Sequence, residues 1–296
     1  MFDLVKRAAL AAILIWTSHG AAMAQSGEDC LSPASLRDGD VRRNAALFAS
    51  GSGLCLSELQ FEENGLTWTL TVIDNTRHSK GPTFYLLHDN EDSAFETALY
   101  GIRKYGGKLV AVESGNNREF NGQDPNRNFG ATAKATAPCR DMRRKPAPLF
   151  TQFMLDLRDA SPNFVLTLHN NANGHSGNGG SGGISIERSS SVMKGLKAPS
   201  GGDEDDAILL AGTQPYEQDK QAQKATAQFH KAGVNVIYEH VLPERNDCSF
   251  SNYVVLNRIA PYYNIEAQHG HTAQQKAMLD VLMKFHRMKV RDRAVK

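Results

Sequence analysis

The sequence predicts an α/β fold, one sheet with helices packed against both of its faces. Runs of large apolar residues, such as Phe84-Tyr85-Leu86-Leu87, have the length and composition of strands covered on both sides. Between them lie segments with apolar residues at helical spacing, among them Phe150, Phe153, Met154 and Leu157. Strand and helix alternate along the chain with no internal repeat, which is the pattern of a sheet sandwiched by helices.

Composition bounds the answer further. The chain has 296 residues, 41% hydrophobic and 22% charged, enough for one large domain. Its 33 basic and 32 acidic side chains nearly cancel, so no nucleic-acid partner is implied. Residues 1–24 read as a signal peptide: Lys6 and Arg7 precede a short apolar core, and Ala22-Met23-Ala24 is a small-x-small cleavage site before Gln25. The mature domain is expected over 25–296, with an N-terminal loop and hairpin over 25–75 and a catalytic core over 76–290. No later stretch is long enough to span a membrane. The four cysteines include no C-x-x-C pair and fit two disulfides in an oxidising compartment, most simply a bacterial periplasm. The expected pairs are Cys30–Cys55 and Cys139–Cys248.

Taken in order, residues 25–53 are polar, with a short helix over 42–48. A hairpin follows over 56–74, turning at Glu63-Asn64-Gly65. The strand from Phe84 ends on His88, and a helix with acidic residues in its first turn runs from Asp92 to about Tyr105, where Gly106-Gly107 stops it. A strand covers 108–113. Residues 114–150 are a Gly-, Asn-, Pro- and Arg-rich loop of a length that is usually functional or disordered. A helix over 148–160 and a strand over 163–169 come next. Residues 170–206 read as loop, with one short strand at 184–186. The remaining elements are a helix over 217–231, strands over 234–238 and 262–266, and a closing helix over 272–287.

Two of these strands end on histidines, His88 and His169, and Glu91 stands three residues after the first. In open α/β sheets the strand ends form the ligand-binding rim. Two imidazoles and a carboxylate are the ligand set of a catalytic zinc site that keeps a fourth position for water, so one Zn2+ ion is expected on His88, Glu91 and His169. Glu266 ends another strand and suits a general base that deprotonates the water. Between them lies Asp124-Pro125-Asn126-Arg127. The Arg127 fork, with the Asn126 amide beside it, suits a substrate carboxylate; pairing of Arg127 with Asp124 is the plainer structural role.

The order His88-x-x-Glu91, Asn126-Arg127, His169, Glu266 resembles the zinc metallocarboxypeptidases related to carboxypeptidase A, over residues 80–287. The resemblance implies a mixed, mostly parallel eight-stranded sheet with helices on both faces. It also implies a role for Arg118 in stabilising the developing oxyanion. One departure is plain: Asp89-Asn90 stands where digestive members carry an arginine. His88-x-Asn90-Glu91, Leu168-His169-Asn170 and Ile265-Glu266-x-Gln268 are also similar to the aspartoacylase and succinylglutamate desuccinylase group, zinc hydrolases that deacylate amino acids. The expected function is hydrolysis of an amide bond in a peptide or peptidoglycan-derived substrate. N-acyl-amino-acid deacylation is the alternative, and non-catalytic binding of zinc or peptide a second one.

Overall fold

Among the described residues, eight strands form a single sheet. In the computed structural model, which describes residues 30–129, 139, 147–159, 161–173 and 205–295, they are β1 (Leu54–Glu63), β2 (Leu66–Asn75), β3 (Thr83–Leu86), β4 (Lys108–Glu113), β5 (Val165–Asn171), β6 (Ala207–Gly212), β7 (Asn235–His240) and β8 (Tyr262–Gln268). Their spatial order is β1-β2-β4-β3-β5-β8-β6-β7. The four central strands β4, β3, β5 and β8 run parallel. The hairpin β1-β2 adds antiparallel strands on one side; β6, antiparallel to β8, and β7 complete the other. The hairpin closes through Asn64 and Gly65, both at positive φ (55° and 78°), the two-residue turn whose twist matches the flanking strands.

Alternation along the strands sorts their side chains into two cores. Phe84, Leu86, Leu166, Leu168, Tyr263 and Ile265 face one side, where they meet α2 (Asp92–Tyr105), α4 (Lys220–Lys231) and α6 (Thr272–Phe285). Tyr85, Leu87, Val110, Val165 and Tyr262 face the other, under α3 (Pro148–Asp156) and α5 (Phe250–Leu256). The helices begin on ordinary signals: Asp219 caps α4 by accepting from the Ala222 N–H, and Ser249 caps α5 by accepting from Asn252. No helix among the described residues is long and apolar enough to cross a membrane.

The α/β fold class and the mixed eight-stranded sheet are as expected, but several boundaries move. β3 stops at Leu86, because only Phe84 and Tyr85 pair with β5 and the chain then leaves the ladder. β5 and β8 instead continue two residues past His169 and Glu266, since they pair with each other to Asn171 and Gln268. The expected helix at 42–48 is split into α1 (Gly39–Arg43) and a single 3-10 turn, Ala45–Phe48. β6 and α5 lie where no element was expected, and the strand expected at 184–186 lies outside the described residues. Both disulfides join the expected partners, Cys30–Cys55 and Cys139–Cys248.

Candidate metal centre

The site forms where the chain leaves β3. His88 lies two residues past that strand, and Glu91 is the N-cap residue of α2. Glu91 caps with its backbone, its carbonyl accepting from Ala94 and Phe95, so its carboxylate is released for other use. His169 comes from β5, one strand over. His88 Nδ1 lies 2.8 Å from Glu91 Oε1 and 3.1 Å from His169 Nδ1, and His169 Nδ1 lies 2.9 Å from Glu91 Oε2. All three side chains are buried.

The outer nitrogen of His88 is spoken for. Nε2 is 2.9 Å from Asp124 Oδ1. An ionised carboxylate only accepts, so Nε2 carries a hydrogen, and Nδ1 is the nitrogen that faces the cluster and would meet an ion there. A carboxylate behind a metal-ligating imidazole does this in many metal sites, orienting the ring and raising its basicity. Among the described residues the acid within ion-pair distance of Arg127 is Asp247, at 3.5 Å, and Arg127 acts on Asp124 through its field alone.

The electrostatics draw positive charge into the cluster. Burial alone would push His88 down, but Glu91 and Asp124 outweigh it and lift the imidazole to about 9. Burial would raise Glu91, and the two imidazoles outweigh that and hold it at about 2. Asp124 is also held below the usual carboxylate range, its burial overcome by His88 and then Arg127 and Arg118. Converging nitrogen and oxygen lone pairs around a buried carboxylate are what a divalent cation of zinc's type takes. The residues present fit such an ion.

Around the cluster stand the remaining predicted residues. Arg118 Nη1 reaches Glu91 Oε1 at 3.3 Å and its Nη2 lies 3.8 Å from Asp124, with half the side chain exposed. The loop bearing Arg118 is pinned by Asp89, whose carboxylate accepts from the Ser114 and Asn116 N–H groups at 2.9 and 2.6 Å. Asn126 and Arg127 form a 3-10 turn capped by Asp124. Asn126 Oδ1 accepts from the Phe250 N–H at the start of α5, which leaves its amide hydrogens for a ligand, while Arg127 Nη1 donates to the Asn126 carbonyl. Glu266 on β8 is the register partner of His169 on β5. Its Oε1 accepts from Asn264 Nδ2 at 2.8 Å. His88, Glu91, Arg118, Asn126, Arg127, His169 and Glu266 all line one cavity of about 360 Å³.

Sequence reasoning passed over Asp124 as the support of His88, and over Asn264 entirely. The first had a signal, an acid directly before the Pro-Asn-Arg turn. The second had none beyond its place two residues before Glu266.

No protein-family model matches the chain, and no curated protein matches it. Similar solved structures include a candidate metallopeptidase from Shewanella amazonensis, at 12% identity over 83% of this chain and 93% of that one, TM-score 0.48. A metallo-carboxypeptidase from Burkholderia cenocepacia matches at 14% identity over 83% and 68%, TM-score 0.41. Thrombin activatable fibrinolysis inhibitor matches at 8% identity over 86% and 80%, TM-score 0.45. These likenesses are loose, and the chemistry of the site is carried by its own side chains.

Proposed function

We propose that this chain is an exported zinc-dependent peptidase of the metallocarboxypeptidase kind, acting on an amide bond near a free carboxylate, as in a cell-wall stem peptide. The observation that carries this reading is the meeting of a buried His-Glu-His donor set with Glu266, Arg118 and the Asn126-Arg127 pair in one cavity. His88, Glu91 and His169 would hold the ion. When bound, zinc lowers the pKa of a water to about 7 and polarises a carbonyl.

The protein's residues supply the rest. Glu266 takes the proton of the attacking water and returns it to the departing amine, the two halves of general base and general acid work. Arg118 stands beside the cluster, where its guanidinium stabilises negative charge gathering on the carbonyl oxygen. Arg127 and the Asn126 amide grip the substrate carboxylate and so align the scissile bond. Asp124 holds His88 in the tautomer that ligation needs. Two disulfides support an oxidising location.

The test is digestion of peptides, purified muropeptides and N-acyl amino acids by the purified protein, with and without a chelator. Chelator-sensitive release of an amino acid from peptides or muropeptides is the expected result. Cleavage confined to N-acyl amino acids would instead establish a deacylase, and no metal-dependent cleavage of any of the three would reject a hydrolase.

A further inference from the structure

Asn264 does not behave like a residue chosen for packing. It is 5% exposed, in the middle of β8, with Thr167 of β5 and Leu209 of β6 as its register neighbours. Side chains two apart in a strand share a face, so Asn264 and Glu266 project together toward the cavity that both line. Asn264 Nδ2 donates to Glu266 Oε1 at 2.8 Å. Because the carboxylate only accepts, this bond fixes which end of the amide is which. The other end, Oδ1, is buried and has no hydrogen-bond partner among the described residues.

A buried carbonyl oxygen without a donor destabilises a fold, and an apolar side chain at this central strand position would avoid that. The position therefore gives up stability, and what it gains is the hold on Glu266. A general base has to sit within hydrogen-bond reach of the proton that it removes, and a misplacement of about 1 Å can slow a reaction ~100-fold. A glutamate at the rim of a cavity has three side-chain torsions with which to wander. The Asn264 bond ties one carboxylate oxygen back along the strand.

We propose that Asn264 is a positioning residue for Glu266, retained at a cost in stability; this rests on the hydrolytic reading above, in which Glu266 is the base. Asn264→Leu keeps the branched shape and the number of heavy atoms while removing both the donor and the stranded carbonyl. The variant is expected to melt no lower than the wild type and to bind Zn2+ in calorimetry with a Kd within about twofold. On a substrate that the wild type cleaves, kcat falls ~10- to 100-fold at nearly constant KM. Asn264→Ala, with the same expected loss of kcat, is the second variant if leucine does not fold. An unchanged kcat in the folded variant overturns the proposal. So does a lower kcat accompanied by a raised KM and weakened Zn2+ binding, the signature of a site that has collapsed as a whole.

Should the wild type cleave nothing, the hydrolytic reading fails by itself, and crystal structures of wild type and variant then decide. A Glu266 carboxylate displaced by about 1 Å or more in Asn264→Leu supports the hold; an unmoved carboxylate overturns it.

Discussion

Two clusters among the described residues bring three ligand-type side chains within 4.8 Å of one another: His88, Glu91 and His169, and Asp38, Asp40 and Asp89. They are neighbours in the chain, since Asp89 directly follows His88. What separates them is what their atoms already do. Asp38 accepts from the Val41 N–H and the Thr71 hydroxyl, Asp89 from the Ser114 and Asn116 N–H groups, and Asp40 from Arg43. Those lone pairs hold backbone and neighbouring side chains in place. In the other cluster the ring nitrogens and carboxylate oxygens turn toward each other, and the contacts from outside are Asp124 on the far edge of His88 and Arg118 on one oxygen of Glu91. The charges differ as well. The acidic cluster relieves its repulsion by keeping a proton, burial raising Asp40 to about 7 against the pull of Arg43, with Asp38, Asp92 and Asp89 adding to the rise. Closeness of donors is thus a poor guide to a metal site, and the direction in which uncommitted lone pairs point is a better one.

Mutation can break this contrast. His169→Ala or Glu91→Gln is expected to lose bound zinc, measured by elemental analysis, and to bring hydrolysis down to background. Asp40→Asn is expected to leave both unchanged. Next in size, Glu266→Gln keeps the metal and lowers kcat ~10²- to 10⁴-fold, a loss that steady-state kinetics beside metal analysis would separate from ligand loss. Asp124→Asn removes the acceptor behind His88 and weakens zinc binding ~10- to 100-fold in a chelator competition.

The smallest expected effect belongs to the acidic cluster and appears in stability alone. Asp40 has its folded pKa raised from 3.8 to about 7, so between those values the folded protein keeps a proton that the unfolded chain has released. The associated stability is full below pH 3.8 and is lost as pH rises toward about 7. Arg43 pulls the other way, but it is half exposed and partly screened, so it offsets only part of the rise that burial causes. Melts of wild type and Asp40→Asn from pH 4 to 8 are expected to show the variant flatter across that window; parallel curves would remove Asp40 as the source.

Much of the site was legible because it sits on local patterns. An apolar run closing on a histidine marks a strand that delivers an imidazole, and both His88 and His169 announced themselves so. β6 and α5 escaped for a physical reason: Ala207–Gly212 and Phe250–Leu256 are six and seven residues long, too short for periodicity to declare a type. Asp124 was visible as a residue but not as a partner, because its bond to His88 spans 36 positions and exists only once β3 and the loop after β4 are side by side. The hold of Asn264 on Glu266 was hidden differently. Its spacing is trivial, yet strand neighbours two apart are ordinarily too far extended to draw notice, and only the stranded Oδ1 marks the pair.

The register of β5 against β8 carries a last consequence. His169 and Glu266 are direct partners across that ladder, and Thr167 and Asn264 are the next pair on the same face. A slip of either strand by one residue would turn its whole set of site residues into the opposite core. On the proposed reading, ligand and base share one alignment, so the two would be assembled together or not at all. If the chain is the hydrolase proposed above, a mispaired sheet would be inert, and recovery of activity after refolding would report on the pairing of these two strands.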